Sequence, residues 1–421
     1  MASASTVKKG QKVGQKMGQK MDQATHSNHG SNHGNHNDRA EQSLTVTRLL
    51  TRKHALNESQ LEARRERTDA APGEVLLKID RFALTTNNIT YAAFGDAMNY
   101  WQFFPTGQQE WGHMPVWGFA DVVDSKVPGV AAGERFYGYF PIASHIRMQP
   151  ERVTERGFYD ALEHRRPLTS AYNQYTRVTH DAAYAPELEN YQMLYRPLFI
   201  TSFMLADFLE DNRFFGATRL VVSSASSKTA YGTAFCLRDL PGISLAAITS
   251  ARNRPFVEGL GCYAEVVGYD DLETLPTDAP TLYVDFSGDE ALRARVHHHF
   301  GGALVYDCFA GSAQNTGFLR DTGLPGPKPE FYFAPVQIRK RNADWGPEGV
   351  NRRFNAAQRA FIDYVKTPAN GWLTLIEAQG FGAAQDRIAS LVAGGSEPKA
   401  GYVVRLDGSE RSNDRARMTE E

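Results

Sequence analysis

The sequence predicts an α/β fold in which a small, partly open β-barrel precedes a doubly wound parallel sheet. Three observations predict it. Short apolar and polar alternations broken by Gly, Pro and Asp turns fill residues 44 to about 150. From Arg219 onward, β-branched runs alternate with helical stretches, the pattern of a parallel sheet with right-handed crossovers. Residues 371–406 then read as strand, helix and strand, a short β-containing return.

Length and composition set the bounds. At 421 residues the chain suffices for two domains with full cores, and 42% apolar with 22% charged residues is the composition of a soluble globular protein. A net charge of -2 gives no global reason to expect nucleic acid or a membrane surface. No run approaches the ~20 apolar residues of a membrane helix, and no apolar core follows the N-terminal lysines, so no secretory signal is read. Cys236, Cys262 and Cys308 lie in apolar runs without metal-ligand spacing, which suits buried thiols in a reducing compartment and hence the cytoplasm.

In order, residues 1–42 are a low-complexity tail with too little apolar surface to offset ordering entropy, expected to be disordered. His26, His29, His33 and His36 could capture a transition metal there, or the segment is a solvated tail or leader. Strands are expected near Leu44 and over 73–84, 116–125 and 130–140. Residues 150–195 turn aromatic and charged and read as an insertion, followed by a buried helix near 198–209. The second part offers strands at 219–224, 244–249, 263–268, 281–286, 303–309 and 330–334. Helices are expected at 228–240, 253–260, 289–299 and 348–367. The expected division is 43–195 plus 370–421, and 196–369.

Several stretches together resemble the medium-chain dehydrogenase/reductase superfamily. Glu74-Val-Leu-Leu-Lys-Ile-Asp-Arg-Phe-Ala-Leu-Thr-Thr-Asn-Asn88 is similar to its "VLVKV…LNPVD" region, Pro115-Val-Trp-Gly-Phe-Ala-Asp-Val-Val123 to its "P…G-E-x-x-G-x-V" segment, and Ala132-Gly-Glu-Arg-Phe-Tyr-Gly138 to "GDRVYG". Val222-Ser-Ser-Ala-Ser-Ser-Lys-Thr-Ala230 lines up with the quinone reductase branch's "VTGASGGVG". With Tyr172-Asn-Gln-Tyr175 and Arg196-Pro-Leu-Phe-Ile-Thr-Ser-Phe203, this looks like an uncharacterised zinc-free branch. The resemblance implies a catalytic domain like the co-chaperonin (GroES) barrel, a Rossmann-like nucleotide domain, NADPH as cofactor, and a homodimer. The implied reaction is reduction of an activated double bond in an enone, enoyl thioester or quinone.

The residues supply candidates for each role. Ser224, Ser226, Ser227, Lys228 and Thr229 stand where a strand meets a helix N-terminus, whose amides and dipole favour phosphate. A Walker loop is excluded because no glycine occurs between Gly216 and Gly232. The same lack of glycine leaves a second reading open, an inactive binding protein with a degenerate dinucleotide loop. After the second strand, Ser250, Arg252 and Arg254 replace the acid that would take an NAD ribose, so a 2′-phosphate is preferred. Ser287, Gly288, Ala310 and Pro335 close later strands at the ligand-binding edge. No Gly-His-Glu motif or four-cysteine lobe exists, and His113 has no partner at ligand spacing, so no metal is expected. The resemblance, with Asn99-Tyr100 similar to the "Gly-Asn-Tyr" of enoyl reductases, implies Tyr100, Tyr91 and Asn88 as candidates for proton donation and carbonyl contact. His164, Tyr172 and Asn173 of the insertion could meet a small-molecule substrate or pin the insertion to the barrel. His297-His-His299 reads as the dipole-complementing end of a helix.

Overall fold

The computed structural model describes residues 43–310 and 323–406. The expectations for the tail, including its histidines, lie outside those residues. The first strands, β1 (Ser43–Arg52) and β2 (Ala55–Arg67), form a long antiparallel hairpin. β2 carries Glu58, Glu62, Arg64, Arg65, Glu66 and Arg67, and nothing in its composition announces a strand. It forms because β1 offers a continuous ladder and because Arg48 pairs with Glu66, and Arg52 with Glu58, across the hairpin.

β3 (Val75–Leu84), α1 (Thr86–Ala93), β4 (Trp111–Gly112), β5 (Pro115–Ser125), β6 (Arg135–Pro141) and β7 (His145–Met148) follow. The insertion folds as β8 (Pro150–Thr154), β9 (Gly157–Asp160) and β10 (Gln174–Arg177), extending the same sheet beyond β6. α2 (Glu189–Asp211) starts about ten residues before the expected helix, because its first turns are polar and anchored by charge rather than by apolar periodicity.

Then come β11 (Arg219–Val222), α3 (Lys228–Leu237), β12 (Ser244–Thr249), α4 (Arg254–Gly259), β13 (Glu265–Gly268), β14 (Thr281–Asp285), α5 (Glu290–Phe300), β15 (Leu304–Phe309) and β16 (Pro329–Phe331). These six strands form one parallel sheet in the order β13-β12-β11-β14-β15-β16. Counted from β11 this is 3-2-1-4-5-6, the doubly wound order whose strand direction of travel reverses between β11 and β14. α6 (Ala334–Val365) is longer than the sequence suggested and breaks at Gly346 (φ 72°), just before Pro347. β17 (Thr374–Gln379), α7 (Gly380–Val392) and β18 (Ala400–Arg405) end the described chain, and β18 pairs with β3 to add both strands to the first large sheet.

One apolar core is shared between the two sheets. It contains Phe119 and Tyr137 of the barrel strands, Leu194 and Phe199 of α2, Tyr231 of α3 and Phe361 of α6. α2 and α3 approach closely because position 232 is glycine; a Cβ there would lie 2.6 Å from Ser202 Oγ. Tyr195 and Tyr231 join their hydroxyls across this contact at 2.9 Å.

The start of α2 is fixed by a buried ionic knot. Arg135 Nε and Nη2 donate to the Glu189 carboxylate at 2.7 and 2.9 Å, and Nη1 meets Asp121 at 2.9 and 2.8 Å. Nη2 also reaches Asp80 at 2.5 Å, and Tyr184 Oη donates to Glu189 at 2.9 Å. Burial works against these charges, but the carboxylates raise the affinity of Arg135 for its proton and Arg135 with Arg81 holds Asp80 below the usual carboxylate range. Arg135→Met should therefore destabilise the fold by about 3 kcal/mol in urea unfolding, since it leaves Asp80 and Glu189 to share Arg81 as their one remaining counter-charge. A loss below about 1 kcal/mol would show the knot to be dispensable.

Candidate functional site

The carboxyl edge of the parallel sheet is organised by Asp285, which is fully buried at the end of β14. Its Oδ1 accepts from Ser223 Oγ at 2.9 Å, Ser287 N at 2.8 Å, Ser287 Oγ at 2.7 Å and Gly288 N at 3.1 Å. Its Oδ2 accepts from Arg293. Ser223 Oγ in turn accepts from the amides of Phe286 and Ser287. The ends of β11 and β14, the reversal point of the sheet, are thus tied together by a single carboxylate.

Directly after this anchor the chain turns. Ser224 is left-handed (φ 47°), a conformation that costs a non-glycine residue about 1–2 kcal/mol. Its Oγ lies 3.3 Å from Tyr269 Oη, which follows β13, and Ser226 Oγ accepts from Asn253 Nδ2 at 3.0 Å. The loop therefore makes with a strained serine a turn of the kind that glycine adopts without cost. Ser227 caps α3 by accepting from Ala230 N, and the first turn of α3 leaves the amides of Lys228 and Thr229 without intrahelical acceptors. Such a turn is an anion cradle in backbone and dipole terms.

Several expected side chains turn out to be committed elsewhere. Lys228 does not extend over the helix end: its ammonium donates to Pro398 O at 3.2 Å and Ala400 O at 3.0 Å, tying α3 to the start of β18. Burial without a carboxylate partner lowers its pKa to about 8. Ser227 spends its hydroxyl on its own helix, and Ser287 spends both hydroxyl and amide on Asp285. Gly288 is buried in the same turn, Ala310 N binds Asp285 O at 2.9 Å, and Pro335 stands exposed in the first turn of α6. Ser250 is half-buried at the end of β12, with Arg252 and Arg254 exposed beyond it. Arg254 pairs with Glu258 at 2.8 Å. His297 does not merely end α5: it is fully buried, with Nε2 2.8 Å from Asp307 Oδ2 and Nδ1 2.7 Å from Pro325 O.

The barrel contributes an aromatic box. The Tyr91 and Tyr100 rings pack at a tilt with centroids 4.8 Å apart, Tyr139 and Tyr172 likewise at 4.8 Å, and Trp117 lies 5.2 Å from Tyr139. Tyr100 Oη and Tyr172 Oη are 3.3 Å apart, and Trp117 Nε1 donates to Tyr91 Oη at 3.2 Å. Burial pushes the Tyr91 phenol up to about 12 and raises Tyr100 as well, the latter opposed by its bond to Tyr172. Tyr172 is held well above its ordinary value by burial and by the neighbouring phenols. All three are protonated donors at neutral pH.

Asn88 is absent from this box. Its Oδ1 accepts from Thr85 N at 2.7 Å and its Nδ2 donates to Pro115 O at 2.9 Å, which makes it the clasp at the start of α1. Asn173 is likewise internal: it exchanges two 2.8 Å bonds with Arg165. Arg165 itself is fully buried, pairs with Asp160 at 3.0 Å, and faces the rings of Phe103, Phe104 and Tyr175. Burial raises the Asp160 carboxyl above its usual range although Arg165 pulls it down. His164 is exposed with Nε2 3.3 Å from Phe103 O. Of the three insertion candidates, only Tyr172 reaches the box. Sequence reasoning marked the turns that hold Ser223 and Asp285 without assigning either side chain, and passed over Asn253, Tyr269 and Trp117. The strand-end position of Asp285 and Tyr269 was the available signal, whereas the approach of Trp117 to the box is purely tertiary.

No group of three or more His, Cys, Asp or Glu side chains is placed to hold a metal ion among the described residues. His113 is buried against Leu49 O at 3.3 Å, and desolvation lowers its pKa to about 4. No described helix is long and apolar enough to cross a membrane.

A doubly wound sheet in 3-2-1-4-5-6 order stands beside a barrel sheet completed by the C-terminal strands, an architecture shared with solved structures. The chain belongs to the family described as protein of unknown function (DUF2855), whose model matches residues 82–397. Among solved structures it is similar to CurA from Vibrio vulnificus in complex with NADPH, with 14% identity and a TM-score of 0.56 over 86% of this chain and 99% of that one. A second CurA structure from the same organism gives 13% identity and a TM-score of 0.51 over the same shares. No curated protein matches by sequence.

The buried lysine makes a pH prediction. Below its folded pKa of about 8 the ammonium is charged in both states and its burial is a cost; between there and the unfolded value near 10.4 the unfolded chain binds the extra proton, so stability rises with pH. Wild-type protein should gain stability relative to Lys228→Met between pH 7.5 and 9.5 in chemical denaturation. Parallel pH dependences would mean that the ammonium is solvated in the folded state.

Proposed function

We propose that the protein is an NADPH-dependent reductase of an activated carbon–carbon double bond, working without a metal and with Tyr100 as proton donor. The observation that carries this reading is the turn at Ser223–Ser227. It lies at the reversal point of the sheet, is braced by Asp285, and presents the first turn of α3 with Ser227 and Lys228 drawn aside onto their own partners. The residues present therefore fit a pyrophosphate, and they weigh against a loop that its own side chains have closed. Ser250, Arg252, Arg254 and Tyr269 surround the end of β12 with hydroxyl and guanidinium donors suited to a 2′-phosphate. The fold neighbour CurA was crystallised with NADPH, which supports the same choice.

When bound, NADPH supplies a hydride, which carries two electrons to the β-carbon of the conjugated alkene. The α-carbon then takes a proton from Tyr100, whose raised pKa keeps it protonated until that moment. Tyr172, 3.3 Å away, orients the phenol and stabilises the phenolate until water returns the proton. Tyr91, held by Trp117, stays protonated and can donate to the substrate carbonyl. The sum is alkene, NADPH and one proton to saturated product and NADP+.

Binding tests the cofactor, and turnover tests the donor. Purified protein should enhance and shift NADPH fluorescence at far lower concentrations than NADH, and Arg252→Ala with Arg254→Ala should weaken NADPH by about tenfold or more while leaving NADH nearly unchanged. No perturbation of either cofactor at about millimolar concentration, some thousandfold weaker than a ~1 μM site, would remove the reading. Tyr100→Phe should lower kcat by about 10²-fold or more with little change in NADPH affinity; a fully active variant would assign the proton to another group.

A further inference from the structure

Lys228 opens α3, at the turn proposed to hold the pyrophosphate, yet its surroundings do not favour a lysine on grounds of stability. A cation at a helix N-terminus opposes the helix dipole. Among the described residues no carboxylate pairs with the ammonium, and desolvation lowers its pKa to about 8. A methionine of similar length would cover the same apolar surface without either cost. What the lysine alone provides is a pair of directional bonds: Nζ donates to Pro398 O at 3.2 Å and to Ala400 O at 3.0 Å. Both acceptors are main-chain atoms at the start of β18, a strand of the barrel sheet.

β18 carries that constraint onward. Its place against α2 is sharply set, because a Cβ at Gly401 would lie 2.6 Å from Leu194 Cδ1. Its ladder with β3 puts Tyr402 opposite Leu84 and Val403 opposite Ala83. Leu84 is followed by Thr85, whose hydroxyl accepts from Asn87 N and caps α1. α1 bears Tyr91, whose ring packs against Tyr100 with centroids 4.8 Å apart. A continuous path of contacts thus runs from the first turn of α3 to the phenols proposed to meet the substrate. α3 also touches the C-terminal return ring to ring, with Tyr231 and Phe235 at 5.6 and 6.1 Å from Trp372. Such contacts tolerate sliding more than a charge-assisted hydrogen bond does.

We infer that Lys228 is a positioning residue: through Pro398 and Ala400 it sets the distance between the proposed cofactor turn of the parallel sheet and the Tyr91–Tyr100 pair of the barrel. This rests on the reductase reading and deepens it, because hydride and proton then reach the substrate from groups held on different sheets. A misplacement of about 1 Å between such groups can cost about a hundredfold in rate. With its ammonium spent on Pro398 and Ala400, Lys228 acts on transfer and not on cofactor affinity.

The test compares wild type with Lys228→Met, and with Lys228→Leu where the methionine variant does not fold. Amide hydrogen exchange, measured without cofactor, should be faster in the variant at residues 400–405 and onward over 84–93, and unchanged over 281–285 of β14. With NADPH and but-3-en-2-one, kcat should fall by about tenfold or more, while the dissociation constant of NADPH, read from its fluorescence, stays within about threefold. A role confined to stability would shift the unfolding midpoint and leave the kcat of the folded enzyme alone. Unchanged exchange over 84–93, or an unchanged kcat in a folded variant, overturns the inference while leaving the reductase reading intact. A loss of NADPH affinity of about tenfold or more with kcat retained also overturns it, by placing the ammonium on phosphate. If the wild type binds no NADPH, the reductase reading falls. In that case, or where but-3-en-2-one is not reduced, the exchange comparison alone decides: faster exchange over 84–93 supports the tie, and unchanged exchange overturns it.

Discussion

The Asp285 carboxylate is the point on which the carboxyl edge of the parallel sheet depends. With one oxygen on Ser223, Ser287 and Gly288 and the other on Arg293, it fixes where β11 ends and where β14 turns. Arg293 continues to Asp307 at 3.3 Å, and Asp307 to His297, so the same network holds the end of β15 and the helix between them. A fully buried carboxylate would be prohibitive alone, and here its charge is neutralised and nearly every lone pair used. Because the strand ends are pinned, Ser224 can be driven into the left-handed region, and the loop keeps the backbone path of a glycine turn without glycine.

Much of this architecture was legible in the sequence. β11, β12, β14 and β15 are apolar runs of strand length set off by helical stretches, and their parallel pairing follows from the alternation itself. β2 was not legible, because a strand whose side chains are Glu, Gln and Arg is specified by its partner β1 and not by its own pattern. The early start of α2 was hidden for a related reason: Glu189 is placed by Arg135, 54 residues away. In the site, residue types pointed to the loop, but no one-dimensional signal distinguishes a lysine that reaches a phosphate from one that reaches Pro398 and Ala400 O. Asn88 and Asn173 illustrate the same limit, since a short polar side chain beside a site serves as well for a clasp as for a contact.

Charge and aromaticity divide the labour between the two parts of the chain. Along the parallel sheet, ionic and hydroxyl groups are arranged around backbone amides to suit a phosphate. In the barrel, ion pairs are used to build walls: Arg165 with Asp160 and Asn173 clamps the insertion, and what the insertion then delivers to the box is Tyr172. The result is a packed cluster of rings with raised phenol pKa values, in which Tyr100 Oη lies 3.3 Å from Tyr172 Oη.

The most direct measurement of the central claim is a crystal structure of the protein with NADPH. The account predicts the pyrophosphate over the amides of residues 226–229, the 2′-phosphate beside Ser250 and Arg252, Lys228 still bonded to Pro398 and Ala400 carbonyls, and the nicotinamide facing Tyr100. Density for the cofactor at another edge of the sheet, or a Ser227 or Lys228 side chain lying across the end of α3 with no nucleotide bound, would contradict it.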